Sequence, residues 1–435
     1  MAAHPLFADD FKTTPYWWEA AAPARFDAAL PEETDVAVVG GGYAGLNCAL
    51  TLARAGTRVL VLDGAEIGWG ASSRNGGMVS GGLKVSDPAI AKLYGPEVAR
   101  KIIDDGWGSF SHIEDVIRRE AIDCDYVRSG RFLGAHTPKH YAALEARAPM
   151  LREVTGATVE LIPRERQREE IGTDLYHGGM VVEGTGALHP AKYARGLATA
   201  ASAAGAVLCS HARVEASERD GDGFLVRTTR GVVRAREVMI ATNGYTGKLT
   251  PWLRRRLIPV GSYIIATEPL DPALTRTLSP KGRMISDTKR VLNYFRLSPD
   301  HTRVLFGGRA SFRQTTPEIA APVLHRFMTA VWPELASAKI THSWTGNVAF
   351  TFDHVPHMGI HDGMHYAMGC QGSGVAMASY LGHQVAQKIL GRQNRPCVFD
   401  GLPFPTRPLY NGNPWFLPVV GTLYRMRDQI DRWRA

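Results

Sequence analysis

Three glycine-rich stretches carry the residue types whose spacing could do chemistry. The first is Gly40-Gly41-Gly42-Tyr43-Ala44-Gly45, a G-x-G-x-x-G pattern. Its chemistry would be the cradling of a pyrophosphate: Gly40 makes a tight turn, Gly42 lets phosphates approach the backbone, and Gly45 lets the following helix pack closely on its strand. The helix start offers unpaired N–H donors and partial positive charge to the same group. Asp63, 18 residues after Gly45, is spaced to accept hydrogen bonds from an adenosine ribose.

The elements that must position these residues can be read around them. Asp35-Val36-Ala37-Val38-Val39 is an apolar run too short for a helix, which predicts a buried parallel strand. Leu46, Ala49, Leu50 and Ala53 recur at i, i+3, i+4 and i+7, so a helix follows until Gly56, and Arg58-Val59-Leu60-Val61-Leu62 is the second strand. A lone glycine motif carries little weight. Strand, glycines, helix, strand and carboxylate in this order predict a dinucleotide-binding unit.

The second stretch, Gly369-Cys370-Gln371-Gly372-Ser373-Gly374, follows the short strand His365-Tyr366-Ala367-Met368 and opens a helix whose Val375, Ala378, Ser379, Gly382, Val385, Ala386 and Ile389 share a face. Its N–H groups would meet something electron-rich, and the O2 and N1 edge of a flavin ring fits. The third stretch, Gly68-Trp69-Gly70-Ala71-Ser72-Ser73-Arg74-Asn75-Gly76-Gly77, combines bare backbone with small hydroxyls, as a wall lying close to cofactor phosphates and ring requires.

With these motifs in place the sequence resembles the D-amino-acid-oxidase-like FAD oxidoreductases, and within them the gamma-glutamylputrescine oxidoreductase-like amine oxidases. The resemblance spans nearly the whole chain. It rests on VVGGGYAGL (38–46), GWGASSRNGG (68–77), LHPAKYARGLA (188–198), IATNGYTG (240–247), PVGSYIIATEPL (259–270), NYFRLSPD (293–300), LFGGR (305–309), WTG (344–346), TFDHVPHMG (351–359) and GCQGSG (369–374).

The resemblance implies that Gly40, Gly42, Tyr43, Ala44, Gly45 and Asp63 hold the ADP half of FAD. Gly70, Ala71, Ser72, Arg74, Asn75, Gly76 and Gly77 would lie along the pyrophosphate, ribityl chain and ring. Val214 matches the position whose backbone meets the adenine, and Gly346, Gly369, Gln371, Gly372, Ser373, Gly374 and Val375 would contact the ring. Two departures stand out. Residues 344–350 contain no Cys, where relatives with covalent flavin carry one, so the FAD is expected to be non-covalent. Ser373 stands where many relatives have His.

The implied reaction is oxidation of an amine at its CH–NH bond by hydride transfer to flavin N5, giving an imine and then an aldehyde. The reduced flavin would be reoxidised by oxygen, with formation of hydrogen peroxide, or by another acceptor. Such chemistry needs positioning and electrostatics more than a dedicated base. Arg74, Trp344, Asp353, Tyr263 and Arg296 are the candidate catalytic residues, with Tyr294, His354 and Arg309 as further candidates to face substrate. Tyr263 and Tyr294 are open to a second reading as sheet-core aromatics, and Arg296 and Arg309 as structural ion pairs. A substrate carboxylate, as on a gamma-glutamyl group, could meet one of these arginines as a bidentate pair. The histidines of Asp353-His354-Val355-Pro356-His357 are not at metal-ligand spacing, and no metal is assigned.

The rest of the sequence bounds these readings. Of 435 residues 45% are apolar, an ordinary composition for a globular protein with a large core, and disordered, collagenous and coiled-coil classes are excluded. The net charge of +8 comes with 39 Arg against 11 Lys and is diffuse, without a basic stripe interleaved with aromatics for nucleic acid. Five scattered cysteines, none in a C-x-x-C pair, suggest reduced thiols rather than disulfides or zinc. Without a membrane-spanning apolar run or a leader-like start, a cytoplasmic protein is expected.

The expected fold is α/β plus α+β, a Rossmann-like FAD-binding domain (31–85, 186–250 and 341–395) interleaved with an antiparallel-sheet substrate domain (86–185 and 251–340). Residues 1–30 would form an N-terminal arm and 396–435 a C-terminal strap; Tyr16, Trp17, Trp18, Trp415 and Phe416 would pack on the body. A disulfide-reductase-type flavoenzyme would need a redox Cys pair, which is missing. A flavin enzyme acting on a modified tRNA base, and a non-catalytic flavin-binding protein, stay open as alternatives.

Overall fold

The apolar run near the N-terminus is the strand Glu33–Val39, and it sits inside a sheet of parallel strands in the computed structural model, which describes residues 5–83, 87–393 and 395–433. Its neighbours are Val59–Leu62 on one side, followed by Val207–Cys209, and Gly231–Ile240 on the other. The last of these strands forks: its C-terminal end pairs in parallel with Met364–Met368, and its start pairs antiparallel with Gly223–Thr228. Val214–Asp220 completes that hairpin through a two-residue turn at Gly221 and Asp222, the kind of turn that an Asp-Gly-Asp-Gly sequence favours. Buried valines and leucines dominate Glu33–Val39 and Val59–Leu62 because helices cover one face and the hairpin and C-terminal segments the other.

The second sheet has nine strands among the described residues, in the order Phe7–Lys12, Ile340–Phe350, Ile258–Thr267, Val304–Gly308, Asn293–Leu297, Met284–Asp287, Arg131–Gly134, Gly179–Val182 and Val159–Ile162. The pairs in its centre are antiparallel, as the aromatic and β-branched runs around Tyr263, Tyr294 and Leu305 predict. The helix Pro317–Val331 buries Ala320, Ala321, Leu324 and Met328 in one cluster with Phe295 and Phe306 of this sheet and with Trp332, which ends the helix. The interleaving of two sheets follows the sequence expectation, with two particulars. Ile340–Phe350 hydrogen-bonds in the second sheet, so by hydrogen bonding the last segment of the first layer starts beyond residue 350 rather than at 341. Phe7–Lys12 of the N-terminal arm joins the same sheet as a parallel edge strand. The boundary drawn at residues 85 and 86 lies outside the described residues.

All five cysteines are buried, and none forms a disulfide among the described residues. Burial pushes the Cys124 and Cys397 thiols up to about 12, and nearby acidic groups add to the effect.

The helices that follow the two glycine turns, Tyr43–Arg54 and Gly374–Ile389, pack directly on each other. Their closest approach is at Gly382, where a Cβ would overlap the carbonyl group of Ala44. Gly108, inside Pro96–Arg119, has open space where its Cβ would be. Gly382→Ala is therefore expected to lower the unfolding midpoint by about 2–5 °C, the scale of an overpacking cost of about 1–3 kcal/mol in a protein of this size. Gly108→Ala, which gains helix propensity at no steric cost, leaves the midpoint unchanged or raises it; thermal melts of the two variants side by side check both expectations.

Candidate active site

The first glycine turn is built by contacts that only glycine allows. Gly40 has φ +110°, and a Cβ there would lie 2.9 Å from the carbonyl oxygen of Ala241. A Cβ at Gly45 would overlap the Gly40 carbonyl oxygen, so the helix can start directly on the strand end only because residue 45 is bare. The helix Tyr43–Arg54 has no side-chain cap from its own N-cap residue, Gly42. Instead Ser72 reaches across from the Gly68–Gly77 segment, its Oγ accepting from Tyr43 N at 3.0 Å. Asp63 ends the next strand beside the turn: Oδ2 accepts from Gly41 N at 2.7 Å and Oδ1 from Ala65 N at 3.0 Å. Burial raises its pKa, against the lowering effect of these amides. Ala212 N donates to Asp63 O at 2.7 Å, which brings the stretch leading into Val214 alongside.

The Gly68–Gly77 segment lies between the sheets. Asn75 spans it from within, its Nδ2 donating to Ala71 O, Ser72 O and Tyr43 Oη and its Oδ1 accepting from Gly77 N at 2.8 Å. On the second sheet, Cβ atoms at Gly76 and Gly77 would meet the Tyr294 ring at 3.1 Å and Arg296 Nη1 at 2.9 Å, and one at Gly346 would meet the Arg74 side chain at 3.3 Å. The N-terminal arm holds the segment from outside. Trp17 Nε1 donates to Asn75 O at 2.9 Å and Trp18 Nε1 to Ser73 Oγ at 3.0 Å. Gly70 faces the ring of Tyr245, whose hydroxyl accepts from Asn347 N.

The second glycine turn is equally specific in its backbone. Gly369, Gln371 and Gly372 all have positive φ, of +76°, +54° and +81°. Asn243 Oδ1 accepts from Gly369 N at 3.0 Å, and Ser373 Oγ donates to Gly82 O at 2.8 Å. The helix Gly374–Ile389 begins here without a side-chain cap, so the N–H groups of its first turn are available to a ligand. Gln371 is buried and spends its amide N–H on Thr351 Oγ1 at 2.6 Å, while its Oε1 is buried without a partner. Two helix starts after glycine turns, neither capped by its own N-cap side chain, a carboxylate at a strand end and an orphaned amide oxygen form a donor and acceptor set that fits FAD.

The five residues singled out for catalysis have different surroundings. Arg74 is clamped between the rings of Trp18 and Trp69, 4.6 and 4.2 Å from their centroids, and its Nε donates to Trp69 O. Burial lowers its pKa. Trp344 is fully buried and donates its indole N–H to Arg74 O at 2.7 Å. Tyr263 is buried as well, its hydroxyl accepting from Thr315 N at 2.9 Å. Arg296 has carbonyl partners only, Leu297 O at 3.0 Å and Leu188 O at 2.9 Å, and burial lowers its pKa to about 10. Asp353 receives Tyr94 Oη at 2.5 Å, Thr351 Oγ1 at 2.8 Å and His357 Nε2 at 3.0 Å. Burial works against its charge, yet these donors, His357 foremost, hold its pKa below the ordinary value.

Among the further candidates, Tyr294 shares a hydrogen bond with Ser262 Oγ at 2.9 Å, and His354 is exposed at φ +62°. Arg309 is half-buried, stacked 4.7 Å from the Phe350 ring and 5.9 Å from Phe312. Burial lowers its pKa, and among the described residues it forms neither an ion pair nor a side-chain hydrogen bond. Tyr94, Asn243 and the clamp of Trp18 and Trp69 could not have been found from the motifs. Asn243 lies inside IATNGYTG, but nothing in that string points to residue 369.

The model of the DAO family, described as FAD dependent oxidoreductase, matches residues 35–388 of this chain. Gamma-glutamylputrescine oxidoreductase of Escherichia coli is 33% identical over 413 residues, covering 94% of this chain and 96% of that protein. Among solved structures, glycine oxidase from Geobacillus kaustophilus superposes with a TM-score of 0.72 at 22% identity, over 87% of this chain and 99% of that one. L-proline dehydrogenase from P. horikoshii superposes at 0.68 and 20% identity, over 85% and 96%. The fold expected from sequence is the fold of these flavoenzymes, and this chain belongs to the DAO family of FAD-dependent oxidoreductases.

Proposed function

We propose that this protein binds FAD non-covalently and oxidises an amine that carries a carboxylate, a gamma-glutamylputrescine-like compound or an amino acid. The observation that carries this reading is Arg309. A guanidinium has five N–H donors and is costly to desolvate, so a half-buried arginine held between aromatic rings with no acidic partner is poised for an anion that arrives from outside. The 33% relative is named for a substrate with such a carboxylate, which supports the assignment.

Arg74 and Trp344 act as positioning residues. Trp344 fixes the carbonyl of Arg74, the two tryptophans fix its guanidinium, and together they hold the bare backbone of Gly76 and Gly77 against Tyr294 and Arg296. Asp353 is saturated with donors and serves to hold Thr351, and through it Gln371, in place at the second turn. Asp353, with three donors already on it, offers no ready partner to an ammonium, which supports the neutral amine with its nitrogen lone pair exposed as the reacting form. Bound FAD supplies the two-electron acceptor, and oxygen or another acceptor completes the cycle.

Residues 344–350 hold no Cys, so acid precipitation of the purified protein is expected to release its flavin. Anaerobic addition of gamma-glutamylputrescine, within a panel of amines and amino acids, should bleach the flavin absorbance near ~450 nm. Flavin that no amine bleaches would remove the amine assignment. Arg309→Gln should weaken binding of a carboxylate-bearing substrate by about 10–100-fold, the loss of a charge-assisted hydrogen-bond pair, and leave the flavin content as it was. Steady-state and binding measurements with the same amine as its carboxamide separate the cases: an equal loss on both would show that Arg309 does not read the carboxylate.

A further inference from the structure

The helix Leu417–Trp433 has two apolar faces. One packs on the body through Leu417 and Gly421, with Asp428 accepting from the backbone N–H groups of Arg290 and Val291. The opposite face carries Val419, Leu423, Met426, Ile430 and Trp433, spaced i, i+4, i+7, i+11 and i+14, in a single stripe that is 37–78% exposed. Trp415, 65% exposed, precedes the helix, and Leu409, 91% exposed at φ +62°, stands on the loop before it. Large apolar side chains scattered singly on a surface need no explanation, but seven in one segment, five of them aligned, form a patch of the kind that covers something.

Within this segment, the charges without an ion-pair partner among the described residues are of one sign. Arg407, Arg425, Arg427 and Arg432 are all exposed. The two acidic residues of the segment, Asp428 and Asp431, both pair with Arg290. Arg255 is exposed too, and its carbonyl oxygen accepts from the Thr406 hydroxyl, which ties a further cation to the same loop. A second copy of the chain docking about a twofold axis would set this surface against itself, arginine facing arginine, with no carboxylate left to compensate. A surface of anionic lipid headgroups complements it: apolar side chains enter the headgroup boundary and the arginines meet phosphates. No helix among the described residues is long and apolar enough to cross a membrane, so the contact would be one of a helix lying in the interface plane.

We propose that Leu417–Trp433, with the Leu409–Trp415 loop, docks this protein on an anionic lipid surface. The helix also meets the candidate site from outside: Arg425 stacks on Phe312, the ring that flanks Arg309, and a Cβ at Gly421 would overlap that ring. Lipid docking would therefore occur next to the proposed substrate anchor, although it does not depend on what the substrate is.

The test is flotation of the flavin-loaded protein with vesicles of phosphatidylcholine alone or with about one third phosphatidylglycerol. Binding is expected to the anionic vesicles, at least about tenfold weaker to the neutral ones, and lost in about 0.5 M salt. Leu423→Gln combined with Ile430→Gln, and separately Arg427→Gln combined with Arg432→Gln, should each reduce binding about tenfold or more. Flavin content and the thermal midpoint verify that each variant is folded. Equal binding to both vesicle types, no binding to either, or a folded apolar variant that floats like the parent would overturn the proposal. So would a parent protein that is dimeric by light scattering and turns monomeric in the Leu423/Ile430 variant, because the face would then be covered by a second copy.

Discussion

Close approach of backbone to backbone, permitted only where a side chain is missing, is the constraint on which the architecture depends. Gly45 lets the first helix begin against the strand end, Gly40 accepts a conformation that an L side chain resists, and Gly382 lets the second helix lie directly on the first. Remove that freedom at one point and two helix starts move relative to the sheet that carries Asp63. The N–H groups offered to a ligand are then no longer at fixed positions, and neither propensity nor hydrophobic burial can restore them, because both act on faces rather than on the last half ångström of a turn.

The arginines show how the same side chain can be put to different use by its neighbours. Arg296 is consumed by carbonyl oxygens and Arg74 by aromatic faces, so both are committed to holding structure. Arg309 has aromatic neighbours but no acceptor. A partly desolvated charge left in that state costs free energy in the empty protein, which the carboxylate of the proposed substrate would recover. The charge alone would not have distinguished the three, since all lie within segments that the sequence marks as belonging to the site.

The parts of the fold set by periodicity are legible in the sequence: the strand–turn–helix at Glu33–Arg54 and the antiparallel strands around Tyr263 and Tyr294. What lay hidden was any contact made across long stretches of sequence by a residue in no motif. Tyr94 reaches Asp353 from a helix that shows only ordinary amphipathic spacing. The assignment of Ile340–Phe350 to the second sheet depends on which partner strand it meets, and alternation within the strand says nothing of that. The aromatic composition of the arm predicts that Trp17 and Trp18 pack on the body, but nothing in it points to their specific duty, bracing the Gly68–Gly77 segment with two indole N–H groups.

That duty has a consequence in time. The arm reaches the segment from an edge strand, Phe7–Lys12, whose strand partner among the described residues is Ile340–Phe350, far later in the chain. Residues 7–18 thus cannot settle until a strand far later in the chain is available. Until they do, the Gly68–Gly77 segment between the sheets lacks the two indole donors that brace it from outside. Assembly order is written into the parallel pairing of a short N-terminal strand with a distant one.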